Sequence, residues 1–235
     1  LDEHLSQLET MKGEFIRHIS HELKTPLTTL REGADLLSEE VPGPLNDRQK
    51  HVVSLIQSSS INLQQLIEQL LDYNRLQQSQ ALNLQHVDTQ ALILTSISSL
   101  QLAISEKNLS LTLPEQSPVV QADPDMLKRI VGNLISNAVH YTDAQGEIVI
   151  ASNIEKNALV IDVENTGQTI PEEDVEKIFE PFYQSQKKRY GPLKGSGIGL
   201  SIAREASKAL NGNLCIASNI EDRIVFRFTL PLDPL

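Results

Sequence analysis

The 235-residue chain carries 20 basic and 31 acidic side chains, a net charge of −11. That balance excludes unspecific binding of nucleic acid or of an anionic membrane as the main task, so any phosphate site has to be built locally. Hydrophobic content of 40% beside charged content of 22%, with no tryptophan, describes a folded chain whose cores are made by Leu, Ile and Val.

No apolar run approaches the ~18–20 residues that span a bilayer, and no signal peptide is present. Leu1, Leu5 and Leu8 lie on helical spacing from the first residue. That reads as a helix cut in its middle, so a fragment is expected whose upstream part, and with it a membrane anchor, is missing. The stripe continues through Met11, Phe15, Ile19, Leu23, Leu27, Leu30, Ala34 and Leu37 in steps of three and four. A span of about 40 residues makes roughly 60 Å of helix.

Within that helix lies Phe15–Leu27, FIRHISHELKTPL. His21 is two residues from both Ile19 and Leu23, so its ring points away from the stripe and toward solvent. Alone it would read as an ordinary surface histidine. Its neighbours change that. Pro26 withholds a hydrogen bond from the Glu22 carbonyl, and a bend is expected just after the His. Glu22 is placed to take a proton from the imidazole, which makes the free ring nitrogen a better nucleophile. His21, Glu22, Lys24 and Thr25 are the candidate catalytic residues, with His21 receiving a phosphoryl group.

The helix should end at Val41-Pro42-Gly43-Pro44, a strong breaker. Asn46 or Asp47 caps a second helix, with the row Val52, Ile56, Ser59, Leu63, Leu66, Leu70 and Tyr73 as a coiled-coil-like seam. A lone hairpin leaves broad apolar faces wet, so a four-helix bundle made from two chains is expected. The Gln-rich stretch Gln77–Gln85 reads as a linker.

From there the elements mix. A helix is expected over 88–106, a strand over Leu109–Leu113, and a helix from Asp123 to about His140. Paired strands follow at Glu147–Ala151 and Leu159–Val163, then a helix over Ile198–Leu210 and strands at Leu214–Ser218 and Ile224–Leu230. This is an α+β layer sandwich. Cys215 falls on a late strand as a small hydrophobe.

Four stretches carry chemistry here. Asn133 and Asn137 share one helix face, where an amide oxygen suits Mg²⁺ and where an Asn equally serves as a cap or in packing. Asn165, at the end of Val163-Glu164-Asn165-Thr166-Gly167, is placed to read a base edge. Ile178-Phe179-Glu180-Pro181-Phe182 is either a loop anchor or a hinge. Gly195-Ser196-Gly197-Ile198-Gly199-Leu200 runs into a helix whose N-terminus suits phosphate. Between the last two, Lys187, Lys188, Arg189 and Lys194 form a basic loop that reads as a solvated charge run or as a lid over a polyphosphate.

Taken together these residues resemble the cytoplasmic core of the bacterial sensor histidine kinases. His21–Leu27 is similar to the H box and Asn133–Asn137 with Tyr141 to the N box. Asn165–Pro171 is similar to the G1 box, Phe179–Phe182 to the F box and Gly195–Gly199 to the G2 box. All five occur in the family's order. The resemblance implies a multidomain chain: an all-α hairpin forming a dimeric four-helix bundle at 1–78, a linker at 79–87, and an α+β Bergerat-type (GHKL) ATP-binding sandwich at 88–235.

It also implies autophosphorylation of His21 by Mg-ATP, transfer to an aspartate of a response-regulator receiver domain, and phosphatase activity in which Thr25 positions water. Glu22 is then the general base and Asn137 the Mg²⁺ ligand. Asn133, His140, Tyr141, Asn165, Gly167, Phe182, Lys187, Lys188, Arg189, Gly195, Gly197, Gly199 and Leu200 would bind the nucleotide. A homodimer, a σ54-dependent regulator as partner, no nucleic acid, and a place as the cytoplasmic portion of an inner-membrane protein are likewise implied.

Two departures stand out. The G1 box usually opens with Asp where this chain has Asn165, and its second glycine is Thr169. Weaker ATP binding and looser base discrimination are expected from them. They also support an alternative, a degenerate nucleotide-sensing scaffold with little kinase activity. A third reading is an ATPase of the same fold that works by clamp closure.

Overall fold

A computed structural model describes residues 2–77, 81–167, 169–184, 196–220 and 222–232. They fall into two units, Leu1–Gln78 and Ser79–Leu235.

The first unit is two helices, α1 (Asp2–Ser38) and α2 (Asp47–Gln77). Asn46 and Gln49 start α2 with a reciprocal box: each side-chain oxygen accepts the other's backbone N–H, at 3.0 and 2.9 Å. In the turn, Glu40 meets Lys50 at 2.7 Å. That ammonium, with the Leu45 N–H, holds the Glu40 carboxyl below its usual range.

The seam inside the hairpin differs from the expected one. Gly13, Ser20, Leu27 and Ala34 are buried on α1, and Val53, Ser60, Ile67 and Asn74 on α2. Each set advances by seven. Asn74 Nδ2 donates to the Gly13 carbonyl at 3.1 Å, which fixes the antiparallel register. It aligns Ser20 with Ile67, Leu27 with Ser60 and Ala34 with Val53. Small thus meets large in successive layers, the arrangement that lets two helices pack closely. The row expected as the seam lies one residue off: Val52, Ile56, Leu63 and Leu66 are exposed, as are Phe15, Ile19, Leu23, Leu30 and Leu37. Within one chain the expected stripe is therefore mainly an uncovered face.

The second unit opens with β1 (Gln85–Asp88), which overlaps the end of the expected linker 79–87 and pairs antiparallel with β3 (Val119–Ala122). Asp88 caps α3 (Thr89–Ser98), accepting from the N–H groups of Gln90 and Ala91. The single helix expected over 88–106 is broken at Ser99-Leu100, and α4 (Gln101–Glu106) follows. The cause is local. The hydroxyls of Thr95, Ser96, Ser98 and Ser99 all donate back to preceding-turn carbonyls, a pattern that bends and weakens helices.

The main sheet runs in the order β2-β4-β5-β7-β6: β2 (Ser110–Thr112), β4 (Glu147–Glu155), β5 (Ala158–Thr166), β7 (Arg223–Pro231) and β6 (Asn213–Ile220). Only β2–β4 is parallel. Leu159, Ile161, Val163 and Asn165 are buried along β5 by the alternation of a strand. That face packs under α5 (Pro124–Tyr141) and α6 (Gly199–Ala209). Asp123 caps α5 through its Oδ1, at 3.0 and 3.2 Å from the N–H groups of Asp125 and Met126. The opposite face carries cross-strand ion pairs, Asp162–Arg227 and Glu164–Arg223.

Candidate functional site

In the first unit His21 is exposed, as are Glu22, Thr25 and Pro26, while Lys24 is half-buried. The helix continues unbroken through Pro26 to Ser38. Around the missing N–H, Thr28 donates to the Lys24 carbonyl at 2.9 Å and Thr29 to the Thr25 carbonyl at 3.3 Å. The imidazole is thus open to a reacting partner, held on a regular helix with a carboxylate next in sequence.

In the second unit the N box, G1, F box and the described part of G2 converge at one end of the sheet. Asn133 Nδ2 donates to the Arg129 carbonyl at 2.7 Å. Its Oδ1 lies where a Cβ on Gly199 would stand, 2.8 Å away. Asn133 is therefore a spacer that seats the N-terminus of α6, and Gly199 is glycine because that seat is already filled. Asn137, one turn on, is half-buried and has no hydrogen-bond partner among the described residues. Among those residues no three His, Cys, Asp or Glu gather into a metal cage. A single free amide oxygen fits Mg²⁺ that arrives with its waters and phosphates.

At the end of α5 the rings of His140 and Tyr141 meet edge to face, 4.9 Å between centroids. Asn165 is 1% exposed and last on the helix-covered face of β5. One of its amide atoms lies 3.1 Å from the Thr166 carbonyl oxygen. A carbonyl only accepts, so that atom is the NH₂ group. The Asn165 oxygen is left as the acceptor.

The G1 segment is fastened to the β6–β7 hairpin. Gly167 N–H donates to the Asp222 carbonyl at 2.8 Å. Ile170 and Asn219 exchange two hydrogen bonds of 2.9 and 2.7 Å.

The two F-box phenylalanines do different things. Phe179 is buried, edge-on to Phe226 and under the Arg204 guanidinium at 4.8 Å. Phe182 is 57% exposed with φ +66°. Its N–H donates to the Gly197 carbonyl at 2.9 Å. Gly197 itself has φ +71°, and a Cβ there would lie 2.8 Å from the Tyr183 carbonyl. F box and G2 box thus form one backbone clasp. Tyr183 secures it, its hydroxyl donating to buried Asp174 at 2.5 Å, and that carboxylate pushes the phenol up to about 12. Leu200 lies in the first turn of α6, half-buried. Lys187, Lys188, Arg189 and Gly195 lie outside the described residues.

Sequence reasoning missed Tyr183, Asp174 and Lys107. Lys107 hydrogen-bonds the carbonyls that end α5, and no short motif marks a partner more than 30 residues away.

A glycine-led helix, a free amide on the facing helix and a buried amide acceptor at a sheet end define a nucleotide-binding ATPase, joined here to a helical hairpin that bears an exposed histidine. Residues 122–234 match the family of histidine kinase-, DNA gyrase B- and HSP90-like ATPases. Residues 11–79 match the His Kinase A phospho-acceptor domain. The chain is 45% identical over 231 residues to the sensor histidine kinase GlrK of Escherichia coli (strain K12), covering 98% of this chain and 49% of that one. It thus spans about half the length of the curated relatives GlrK and QseE of Escherichia coli.

Full-length ShkA, solved in complex with AMPPNP, superposes with a TM-score of 0.78 at 25% identity, covering 94% of this chain and 46% of that one. Histidine kinase ThkA, solved with the response regulator TrrA, superposes at 0.67 and 25% identity, covering 99% of this chain and 64% of that one. The chain belongs to the sensor histidine kinases and contains both the phospho-acceptor and the ATPase domain of a two-component sensor kinase core.

Proposed function

We propose that this chain autophosphorylates His21 from ATP and passes the phosphoryl group to an aspartate of a response-regulator receiver domain. The observation that carries this reading is the pairing of an exposed His21-Glu22 on a rod-like helix with a glycine-seated ATPase site in one chain.

Glu22 takes the proton from one imidazole nitrogen, and the lone pair of the other attacks the γ-phosphorus as its bond to the β–γ bridging oxygen breaks and ADP leaves. Asn137 holds the Mg²⁺, which when bound neutralises charge on the phosphate oxygens. The N-terminus of α6, kept open by Gly199, receives phosphate through its backbone N–H groups. Tyr141 and His140 flank the base, and Gly167 lets the G1 backbone approach. Lys187, Lys188 and Arg189, which lie outside the described residues, supply positive charge to the polyphosphate. Thr25, with Lys24 beside it, positions the water that attacks the regulator's aspartyl phosphate, breaking its acyl phosphate bond and releasing inorganic phosphate.

Residues 1–78 serve as the dimerisation and phosphotransfer domain and 88–235 as the catalytic domain. The uncovered apolar face carrying Phe15, Leu23, Leu30, Val52 and Leu63 is what a second copy covers in a four-helix bundle. The likeness to GlrK supports a σ54-dependent regulator as partner. It also supports a place as the cytoplasmic portion of an inner-membrane protein. Among the described residues no helix is long and apolar enough to cross a membrane. Nothing among the described residues or the comparisons favours the degenerate scaffold, whose support is the sequence departures at Asn165 and Thr169 alone.

The test is incubation with labelled Mg-ATP followed by a panel of receiver domains. Label on the chain that drains to one receiver supports the reading. ATP turnover that never labels the chain overturns it and favours a clamp ATPase.

Asn165 sharpens the expectation about the base. One of its two amide N–H donors is used on the Thr166 carbonyl, which orients the amide and leaves the oxygen as an acceptor suited to the adenine amino group, with the second N–H still a donor. Adenine should therefore be preferred, by a smaller margin than a carboxylate would give, in line with the looser discrimination expected from the sequence. Weaker binding still follows, because a neutral acceptor makes a weaker bond than a carboxylate. Calorimetry is expected to show Asn165→Asp binding ATP more tightly by about fivefold, from roughly 1 kcal/mol of charge assistance, with GTP poorly bound by both forms. Equal affinity of the parent chain for ATP and GTP would contradict this.

A further inference from the structure

We propose that Lys107 is a positioning residue of the nucleotide site, its ammonium fixing the end of α5 that carries His140 and Tyr141. The proposal rests on the reading that those two rings stand beside the nucleotide.

The last turn of a helix leaves four carbonyls without intrahelical partners. At the end of α5 the Ala138 carbonyl accepts from the Thr142 N–H at 2.9 Å and from its hydroxyl at 2.7 Å. The carbonyls of Val139 and His140 accept from Lys107 Nζ, both at 2.8 Å, and that of Thr142 accepts from it at 2.9 Å. An ammonium has three donors, and all three are used here on one short segment. The charge also sits where the helix dipole is negative. The backbone of Lys107 adds to this: its carbonyl accepts from the Gln145 N–H at 2.8 Å. Next to it, Ser110 N–H donates to the Gly146 carbonyl at 2.9 Å.

One residue from the end of α4 therefore grips the span 139–145, and both rings lie within it. The carbonyls bonded to Nζ come from residues on either side of Tyr141, so the ammonium fixes the backbone that sets the ring's position. A terminal helix turn without such a partner frays. Displacements of about 1 Å in a positioned group are enough to cost one to two orders of magnitude in a reaction. A stabilising cap alone would protect α5 but leave nucleotide affinity unchanged once the domain is folded. A positioning role changes affinity in the folded protein.

The experiment measures ATP and ADP affinity of the 235-residue chain by competition with a fluorescent nucleotide, at a temperature where circular dichroism shows each variant folded. Lys107→Met is expected to weaken both nucleotides roughly tenfold and to raise the KM for ATP by the same factor, with kcat changed less than twofold. Lys107→Arg, which keeps charge and donors, is expected to recover most of the affinity. Should Lys107→Met fail to fold, Lys107→Gln takes its place, with a loss of roughly threefold expected. A lowered unfolding midpoint with parent-like nucleotide affinity would overturn the proposal. Tyr141→Ala separates the two layers. If it leaves affinity unchanged, the placement of the rings in the site fails. If it weakens binding while Lys107→Met does not, the anchoring role alone fails.

Discussion

Gly197→Ala is expected to abolish useful ATP binding while leaving the helical hairpin intact. Gly197 sits at φ +71°, and a Cβ there would meet the Tyr183 carbonyl at 2.8 Å and the Phe182 backbone at 3.0 and 3.1 Å. The left-handed conformation costs a side chain about 1–2 kcal/mol. The overlap adds about 1–3 kcal/mol, because backbone atoms cannot swing aside as a side-chain tip does. Relief requires breaking the Phe182–Gly197 hydrogen bond, which opens the clasp between F box and G2 box. Nucleotide titration should show affinity reduced at least tenfold, about the effect of 1.4 kcal/mol. The far-ultraviolet helix signal should be nearly unchanged. Parent-like affinity would mean that the clasp is not needed for the site.

Asn137→Ala is expected to reduce phosphoryl transfer by about 10²–10³, the usual loss when one preorganised electrostatic contact to the reacting group is removed. The site explains why this residue and not Asn133 has the larger effect. Asn133 spends its amide on the Arg129 carbonyl and on the Gly199 seat, whereas Asn137 has no partner among the described residues. The distinguishing measurement is a Mg²⁺ titration of nucleotide affinity. In the parent chain affinity should rise with Mg²⁺; in Asn137→Ala that rise should be lost while metal-free binding persists. A variant with an unchanged Mg²⁺ response would remove Asn137 from the metal site.

What the sequence made legible was whatever local chemistry determines. The helix start at Asp123, the strand at Leu159–Val163 and the glycine-led start of α6 each follow from neighbours in the chain, and the structure has them. Hydrophobic periodicity located both helices of the hairpin, but the row it picked on α2 is not the one buried within a single chain. The inner seam is built from Gly13, Ser20, Ser60 and Asn74 beside Ala34 and three large apolar residues, and Gly, Ser and Asn are invisible to a search for apolar stripes. The break at Ser99-Leu100 arose from four hydroxyl back-bonds within five residues, each weak alone.

In the candidate site, the boxes gave the residue types but not their division of labour. That Phe179 anchors while Phe182 faces outward depends on Phe226 and Arg204. That Asn165 presents its oxygen depends on the Thr166 carbonyl. The Lys107 anchor joins elements separated by more than 30 residues, and such contacts have no local signature.

The claim on which the account stands is that the exposed imidazole of His21 receives the phosphoryl group. It is tested most directly by incubating the parent chain and His21→Gln with labelled Mg-ATP and locating the label. The account predicts acid-labile, alkali-stable label on the parent chain, confined to the peptide containing His21 and absent from His21→Gln, with ATP affinity equal in the two. Label that persists in His21→Gln, or that is stable to acid, would contradict it.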